Sequence, residues 1–169
     1  MSTATKKPPI EIIALVSGFK DKPIGLAGLM DQETGALFIA KELNYDSNME
    51  SKDNRLIVTD APLAVKSWQL AFYEDKHMDD AIRAYYQRRS AQLFTIHKKL
   101  SQFDPHLAIQ PGNVSTGGLA WRFDTNITNG MIATLLLIWA SSRVHAGQII
   151  TDAWGSDSED DDGAMPFWV

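Results

Sequence analysis

The stretch IEIIALVSGFKDKPIGLAGLMDQETGALFIAKEL, residues 10–43, holds three apolar segments separated by polar turns. Apolar runs with β-branched residues, such as 10–19 and 36–43, predict strands. Segment 23–30 predicts a weaker strand because its glycines lower strand propensity. Gly35 is placed to close the turn before the third segment. We therefore predict a small antiparallel meander over residues 10–43.

After the meander, the chain continues with a polar loop and one more strand before helices take over. Residues 44–54 are polar, and 55–59 (RLIVT) predict a short strand. Asp60 is placed to cap a helix over residues 61–73, with Pro62 in its first turn, where proline is tolerated.

A second, longer helix is predicted to end near residue 100, with Asp79 or Asp80 as its cap. Its apolar residues recur at three- and four-residue steps, which predicts a buried stripe: Ile82, Tyr86, Leu93, Ile96 and Leu100. Arg89 falls in the same register, and the sequence leaves two roles open for it: a buried ion pair, for example with a loop aspartate, or a surface contact. Residues 106–110 then predict a short strand.

The last third of the folded chain is predicted to contain one strand and one helix. Residues 119–123 alternate between apolar and polar side chains, as a half-buried strand does. Asn126 or Thr128 is placed to begin a helix over residues 129–146, with Gly147 as its C-terminal cap. Because its first ten residues are apolar on every side, we expect this to be the central core helix.

The order of these elements predicts an α+β fold, a small antiparallel sheet packed by two or three helices. We expect a flexible N-terminus over residues 1–9 and a single domain over 10–154. Residues 155–169 form an acidic tail with an apolar tip, and we expect this tail to be disordered because like charges repel.

The totals of the sequence limit the classes of protein. The 169 residues suit one domain, and the absence of cysteine excludes disulfides and thiolate metal sites. The longest apolar run, 131–140, is too short to cross a bilayer, and no signal peptide is recognisable, so we expect a cytoplasmic protein. The net charge is −5, and six of the 21 acids lie in 152–162, where there is no base. The body is therefore near neutral, unlike a strongly basic nucleic-acid binder.

The tail supplies the first functional resemblance. Five of the six residues 157–162 are acidic, and an apolar Met-Pro-Phe-Trp-Val follows two residues later. This combination resembles the C-terminal tip of bacterial single-stranded-DNA-binding proteins, which recruits DNA-processing enzymes. The resemblance implies a partner-binding role for the residues that match the tip or extend it: Asp160, Asp161, Asp162, Pro166, Phe167 and Trp168.

A second resemblance is one of layout alone. The chain has a long helix starting near an Asp-rich turn, then a strand, then an apolar helix ending in a turn with His145. This order resembles a family of uncharacterised proteins of integrating conjugative elements, which implies an origin on a phage, plasmid or other mobile element.

Motifs for catalysis or cofactors are absent from the sequence. The four histidines lack metal-site spacing, and His77 beside Asp75, Asp79 and Asp80 is better explained as a solvated capping turn. The glycines of 111–118 lack the lysine of a phosphate loop. We therefore predict no cofactor, no bound metal and no enzymatic activity.

One helix and one strand combine basic and aromatic side chains, as single-stranded nucleic-acid sites do. The candidate nucleic-acid-binding residues are Arg83, Tyr85, Arg88, Arg89, Lys98, Lys99, Trp121 and Arg122. An ordinary solvated helix face, with Trp121 in the core, explains the same residues.

From the sequence alone, we predict a non-enzymatic accessory protein of DNA metabolism that binds single-stranded DNA, or recruits a DNA-processing protein through its tail. Two alternatives remain open. The first is an interaction or assembly subunit with no nucleic-acid role, whose apolar tail tip docks on another subunit or on a second copy of the chain in a homo-oligomer. The second is a small enzyme whose site is assembled from distant residues, which a pocket with convergent polar groups would favour.

Overall fold

A computed structural model describes residues 8–18, 22–111, 121–123, 125–145 and 148–149. Ten strands and two α-helices occur in these ranges. The strands are β1 (Ile10–Val16), β2 (Ile24–Met30), β3 (Leu37–Leu43), β4 (Arg55–Thr59), β5 (Leu70–Ala71), β6 (Phe94–Ile96), β7 (Ile109–Pro111), β8 (Trp121–Phe123), β9 (Val144–His145) and β10 (Gln148–Ile149). The helices are α1 (Glu74–Ser90) and α2 (Asn129–Ser141), with 3-10 turns at Lys98–Phe103 and Pro105–Leu107.

The main sheet has six strands in the order β5-β4-β1-β2-β3-β6. Strands β1, β2 and β3 form the predicted antiparallel meander. Strand β4 returns to pair with β1 in parallel, β5 pairs with β4 in parallel, and β6 adds to β3 in parallel. The α+β class is confirmed, and the sheet is larger than predicted and mixed because parallel strands join it on both sides.

Strand β1 is the centre of this sheet and is buried on both faces. Ile12 and Ala14 belong to the larger core, which contains both helices. Ile13 and Leu15 belong to a second core, in which Val65 and partly buried loop residues cover the opposite face. A strand covered on both faces is continuously apolar, which is why the sequence of β1 shows no polar alternation.

Helix α2 is the main packing partner of the sheet, as predicted. All thirteen of its residues are buried. Thr128 caps it, since its side-chain oxygen accepts a hydrogen bond from the Met131 N–H at 3.2 Å. The helix ends at Ser141, before the predicted 146. A Cβ at Gly130 would lie 2.2 Å from Cδ1 of Phe103, so the second residue of α2 must be small for the 3-10 segment to pack.

The predicted helix over residues 61–73 is wrong. Residues after Asp60 make a short turn, and Leu70–Ala71 forms β5 instead. The reason is the environment of Asp60, whose carboxylate accepts hydrogen bonds from the end of β1 and not from a helix N-terminus. In the sequence, an aspartate at the end of a strand looks the same as an aspartate that caps a helix.

The predicted helix from Asp79 or Asp80 to residue 100 is also wrong at both ends. Helix α1 begins six or seven residues earlier, with Tyr73 in the cap position, and it ends at Ser90. Gln92 adopts a positive φ of 61°, which a continuing helix excludes. The chain then extends into β6, so Ile96 packs against the core from a strand and Leu93 lies in the loop before that strand, not on a helical stripe.

In the described part of the chain, no helix combines the length and apolarity needed to span a bilayer. The domain limits at residues 9 and 154 stay predictions, and the tail from 155 lies outside the described residues.

Candidate functional site

The carboxyl ends of β1 and β4 mark the place where the chain changes direction across the sheet. From β1 the chain proceeds through β2 and β3 to one side, and it then returns to β4 and β5 on the other side. Connections that leave neighbouring parallel strands in opposite directions open a crevice at the strands' carboxyl ends, where ligands bind in open α/β sheets. The residues that follow Val16 and Thr59 lie at this crevice.

Asp60 follows β4 and is held by the backbone that follows β1. Its Oδ1 accepts a hydrogen bond from the Ser17 N–H at 3.1 Å, and its Oδ2 accepts one from the Gly18 N–H at 2.9 Å. The buried Thr59 hydroxyl adds a bond to the Leu15 carbonyl at 2.9 Å. A Cβ at position 18 would lie 2.8 Å from Asp60 Oδ2, so only glycine permits this approach. The carboxylate is thus fixed before any ligand arrives.

A cleft of about 490 Å³ lies beside this carboxylate. Its wall contains three acids, Asp60, Glu74 and Asp75, and the rest is aromatic, aliphatic or glycine: Gly18, Phe72, Tyr73, Phe123 and Ile127. Glu74 and Asp75 are exposed in the first turn of α1, where the helix dipole favours negative charge. We call this the acidic cleft. The acidic cleft is lined by residues far apart in the sequence, from position 18 to position 127. A small enzyme whose site is assembled from distant residues requires such an arrangement.

His77 fixes the α1 side of the acidic cleft. Its Nδ1 accepts a hydrogen bond from the Tyr73 N–H at 2.9 Å, in the place of a usual side-chain cap. The imidazole is only 5% exposed, and its ring centroid lies 4.5 Å from that of Trp139. His77 does belong to a capping turn, as predicted, but it is buried and not solvated. Its burial sets where Glu74 and Asp75 project.

A second concavity, of about 360 Å³, lies between β2, β3 and β6. Its lining includes Leu29 and Phe38, each 38% exposed, and a single carboxylate, Asp31. Because Asp31 is the one ionisable side chain of its lining, beside the neutral Gln92 and Thr95, it is a weaker candidate for acid–base chemistry than the acidic cleft.

The predicted basic-aromatic surface is divided between separate elements. Arg83 is exposed on α1, whereas Lys98 and Lys99 are exposed on the 3-10 segment beyond β6. Arg88 is half-buried and donates a hydrogen bond to the Gly35 carbonyl, and burial lowers the pKa of its guanidinium. The prediction assumed that these cations lie on one continuous helix face. They do not, because Lys98 and Lys99 lie beyond the end of α1.

Tyr85 has no exposed surface, so its ring is not available to stack on a base. Its hydroxyl donates to the Asp104 carboxylate and accepts from Arg89. Burial, together with the hydrogen bond to Asp104, raises the pKa of Tyr85 above its usual range. Arg89 also pairs with Asp104 at 3.4 Å; the partner is a loop aspartate, as in the first alternative, but the Arg89 side chain is 44% exposed and the pair is not buried. Tyr85 therefore belongs to the core, whereas Arg89 is exposed and its predicted contact with nucleic acid stays a prediction.

Asp104 is the centre of that network, and its charge links stability to pH. Burial opposes its ionisation, but hydrogen bonds from Tyr85 and His106 outweigh burial and lower the pKa of the Asp104 carboxyl. A carboxyl with a lowered pKa adds stability above its unfolded pKa, about 3.9, and this contribution is lost as pH falls through the folded value.

We expect Asp104→Asn to reduce the free energy of unfolding at pH 7 by about 1–3 kcal/mol, the cost of breaking a part-buried hydrogen-bonded group. The deficit should shrink as the pH falls below about 4, because the unfolded wild-type carboxyl takes up its proton there and the folded one at a lower pH, which removes the contribution of the charge. Urea unfolding of both proteins at pH 7, 5 and 3 measures this. A deficit that stays constant down to pH 3 would show that the charge of Asp104 contributes nothing.

Some predicted residues cannot be placed by side chain. Trp121 and Arg122 lie in β8, which pairs with β7, and the structure describes only their backbone. The predicted partner-binding residues of the tail lie outside the described residues: Asp160, Asp161, Asp162, Pro166, Phe167 and Trp168. Their roles stay predictions.

The residues of the acidic cleft, including Asp60, were not predicted from the sequence to be functional. One signal was present: an acid directly follows the apolar strand 55–59. The approach of Gly18, and the positions of Glu74 and Asp75, depend on the parallel pairing of β1 with β4 and had no local signal. In the described ranges, no three His, Asp or Glu side chains are grouped so as to hold a metal ion.

Comparison with known proteins adds one likeness of fold. No family model matches the chain, and no curated protein matches it. The chain is similar to the solved structure of the large terminase nuclease from the thermophilic phage G20c, with bound magnesium. The TM-score is 0.51 and the identity 12%, over 80% of this chain and 82% of that chain.

This likeness corrects the functional prediction. We expected a non-enzymatic accessory protein that binds single-stranded DNA, and the fold is instead nuclease-like. The prediction rested on a tail of about a dozen residues and on a basic helix face, of which Tyr85 is buried and Arg88 half-buried. The body carries a different feature, a cleft lined by acids.

Proposed function

We propose that this protein is a nucleic-acid-processing enzyme of the nuclease type, which hydrolyses phosphodiester bonds in the acidic cleft. The observation that carries the proposal is the position of Asp60, Glu74 and Asp75 around one cleft at the crevice between β1 and β4. The likeness to a phage nuclease supports the reaction class, and it agrees with the expected origin on a phage or other mobile element.

The three carboxylates have different tasks in this proposal. Asp60 is held by two backbone amides, so it is a fixed acceptor that orients a water or a substrate hydroxyl. Glu74 and Asp75 are exposed and unobstructed by such bonds to the backbone, so either can take the proton from the attacking water. A positioned base of this kind contributes about 10²–10⁴-fold to a rate.

The phage nuclease structure contains bound magnesium. In the acidic cleft, the side chains could hold this ion only together with substrate phosphates and waters. The described residues build no cage of three ligands, and each oxygen of Asp60 already accepts one amide bond, which leaves it one further lone pair for a water or a substrate hydroxyl. Glu74 and Asp75 remain, and Mg²⁺ is commonly held by one or two carboxylates together with substrate phosphates and waters. When bound there, the ion would offset the repulsion between the carboxylates and the phosphate. These two residues would hold it.

The test is cleavage of a labelled oligonucleotide by the full chain, with Mg²⁺ or Mn²⁺ and with EDTA. We expect Asp60→Asn to lower the cleavage rate about a hundredfold. Gly18→Ala should lower it too, because its Cβ would displace the Asp60 carboxylate. Glu42→Gln, an exposed acid on β3, is the matched control and should cleave like the wild type.

The control also separates this activity from a contaminating nuclease, since all variants are purified in the same way. Cleavage that persists unchanged in Asp60→Asn would come from another protein or another site. If the wild type cleaves no single-stranded or double-stranded oligonucleotide with either metal, the proposed hydrolysis is wrong.

A further inference from the structure

The lip of the acidic cleft carries an exposed aromatic side chain that the hydrolysis itself does not need. Tyr73 is 43% exposed and lies directly before Glu74 and Asp75. The described residues include four other large apolar side chains that are exposed, Leu29, Phe38, Leu63 and Leu107, and none of these lines the cleft. The exposed ring of Tyr73 is therefore available to contact a ligand that binds in the acidic cleft.

Tyr73 is anchored through its backbone, and one neighbouring ring contacts its own. Its N–H donates to the buried His77, and the two rings lie 5.8 Å apart between centroids. His77 in turn packs on Trp139 of the core helix. A ring fixed by its backbone and by one neighbour loses little freedom when a second ring stacks on it, which lowers the entropic cost of binding.

A cation lies over one face of this ring, and a base that stacks on that face would displace the lysine toward the solvent. The Lys76 Nζ is 5.6 Å from the Tyr73 ring centroid, one residue beyond the acids of the cleft, and Lys76 is exposed. A phosphate next to a base stacked on Tyr73 would lie within reach of a flexible lysine, whose charge opposes the repulsion from Glu74 and Asp75. Aromatic faces beside cations are the usual elements of single-strand sites.

We propose that Tyr73 stacks on an unpaired base and that Lys76 contacts the adjoining phosphate, so that the acidic cleft selects single-stranded nucleic acid. This inference rests on the proposed function for the place where the substrate binds. In a duplex both faces of each base are covered by neighbours, and exposing one costs a few kcal/mol. A single strand offers a free face without that cost, and stacking tolerates any base.

The experiment compares one labelled strand, alone and in its duplex, by cleavage rate and by fluorescence anisotropy. Four variants of the full chain are used beside the wild type: Tyr73→Ala, Tyr73→Phe, Lys76→Ala and Phe38→Ala. Phe38 is the matched control, an aromatic residue with similar exposure outside the cleft. Thermal unfolding confirms that each variant is folded; the Tyr73 N–H bond to His77 is made by the backbone and survives in Tyr73→Ala.

We expect the wild type to prefer the single strand. Tyr73→Ala should weaken single-strand binding and cleavage about five- to hundredfold, the range seen when one stacking aromatic is removed. Tyr73→Phe should retain both because it keeps the ring, and Phe38→Ala should resemble the wild type. Lys76→Ala should weaken binding and lessen its salt dependence, because one phosphate contact is lost.

The outcomes separate this inference from the proposed function. If the wild type cleaves single strand and duplex equally, and Tyr73→Ala changes neither, the stacking site is wrong while the hydrolysis stands. If nothing is cleaved but binding of the single strand depends on Tyr73, the hydrolysis is wrong while the stacking site stands. If the single strand is neither bound nor cleaved, both are wrong.

Discussion

Trp139→Ala is expected to lower the free energy of unfolding by about 3–5 kcal/mol, the largest effect of any substitution considered. Trp139 is 1% exposed at the centre of the core. Its ring meets Phe72 edge-on at 5.2 Å and His77 at 4.5 Å, between centroids. Truncation would leave a cavity between α2, β5 and the start of α1, which the surrounding rigid sheet cannot close. Urea denaturation measures the loss.

Two further tryptophan variants make this prediction specific. The Trp139 Nε1–H is buried and finds no acceptor among the described residues, so Trp139→Phe gives up no hydrogen bond there and should cost much less than Trp139→Ala. Trp68 is the matched comparison: it is only partly buried, on the other face of the sheet, and its Nε1–H donates to the Pro62 carbonyl at 3.1 Å. Trp68→Ala should cost less than Trp139→Ala. Equal costs for the two alanine variants would contradict the central place of Trp139.

The elements that the sequence predicted well are those whose pattern is local. The meander of residues 10–43 and the all-round apolar helix after Thr128 follow from apolar runs and turn residues, and both were predicted correctly. Gly35 at the meander's second turn has a φ of 78°, the conformation for which glycine is favoured. Such signals lie within a few residues of each other.

The errors occurred where one local pattern fits two structures. Asp60 before an apolar stretch fits a helix cap, and it also fits a strand end whose carboxylate bonds to another strand. Only the parallel pairing of β1 with β4, residues 44 positions apart in the chain, decides between them. The same pairing assembles the acidic cleft. Each residue of the acidic cleft can be seen in the sequence, but the sequence does not show that these residues lie close together in the fold.

Substitution of His77 is expected to have the second largest effect on stability, and it also tests how the cleft is held. His77→Ala removes the acceptor for the Tyr73 N–H, at 2.9 Å, and the ring that packs on Trp139. A lost buried acceptor and a cavity together should cost about 2–4 kcal/mol in free energy of unfolding. His106→Ala, an exposed histidine, is the control and should cost less.

His77→Phe separates packing from positioning, because it keeps a ring against Trp139 but cannot accept the Tyr73 N–H. We expect it to recover much of the stability lost in His77→Ala while cleavage stays slow. The start of α1 would no longer be fixed, and with it the directions of Glu74 and Asp75. The change should appear in kcat and also in the preference for single strands, since Tyr73 shares the same anchor. If His77→Phe restores stability and cleavage together, His77 acts through packing alone, and the geometry of the acidic cleft does not depend on its hydrogen bond.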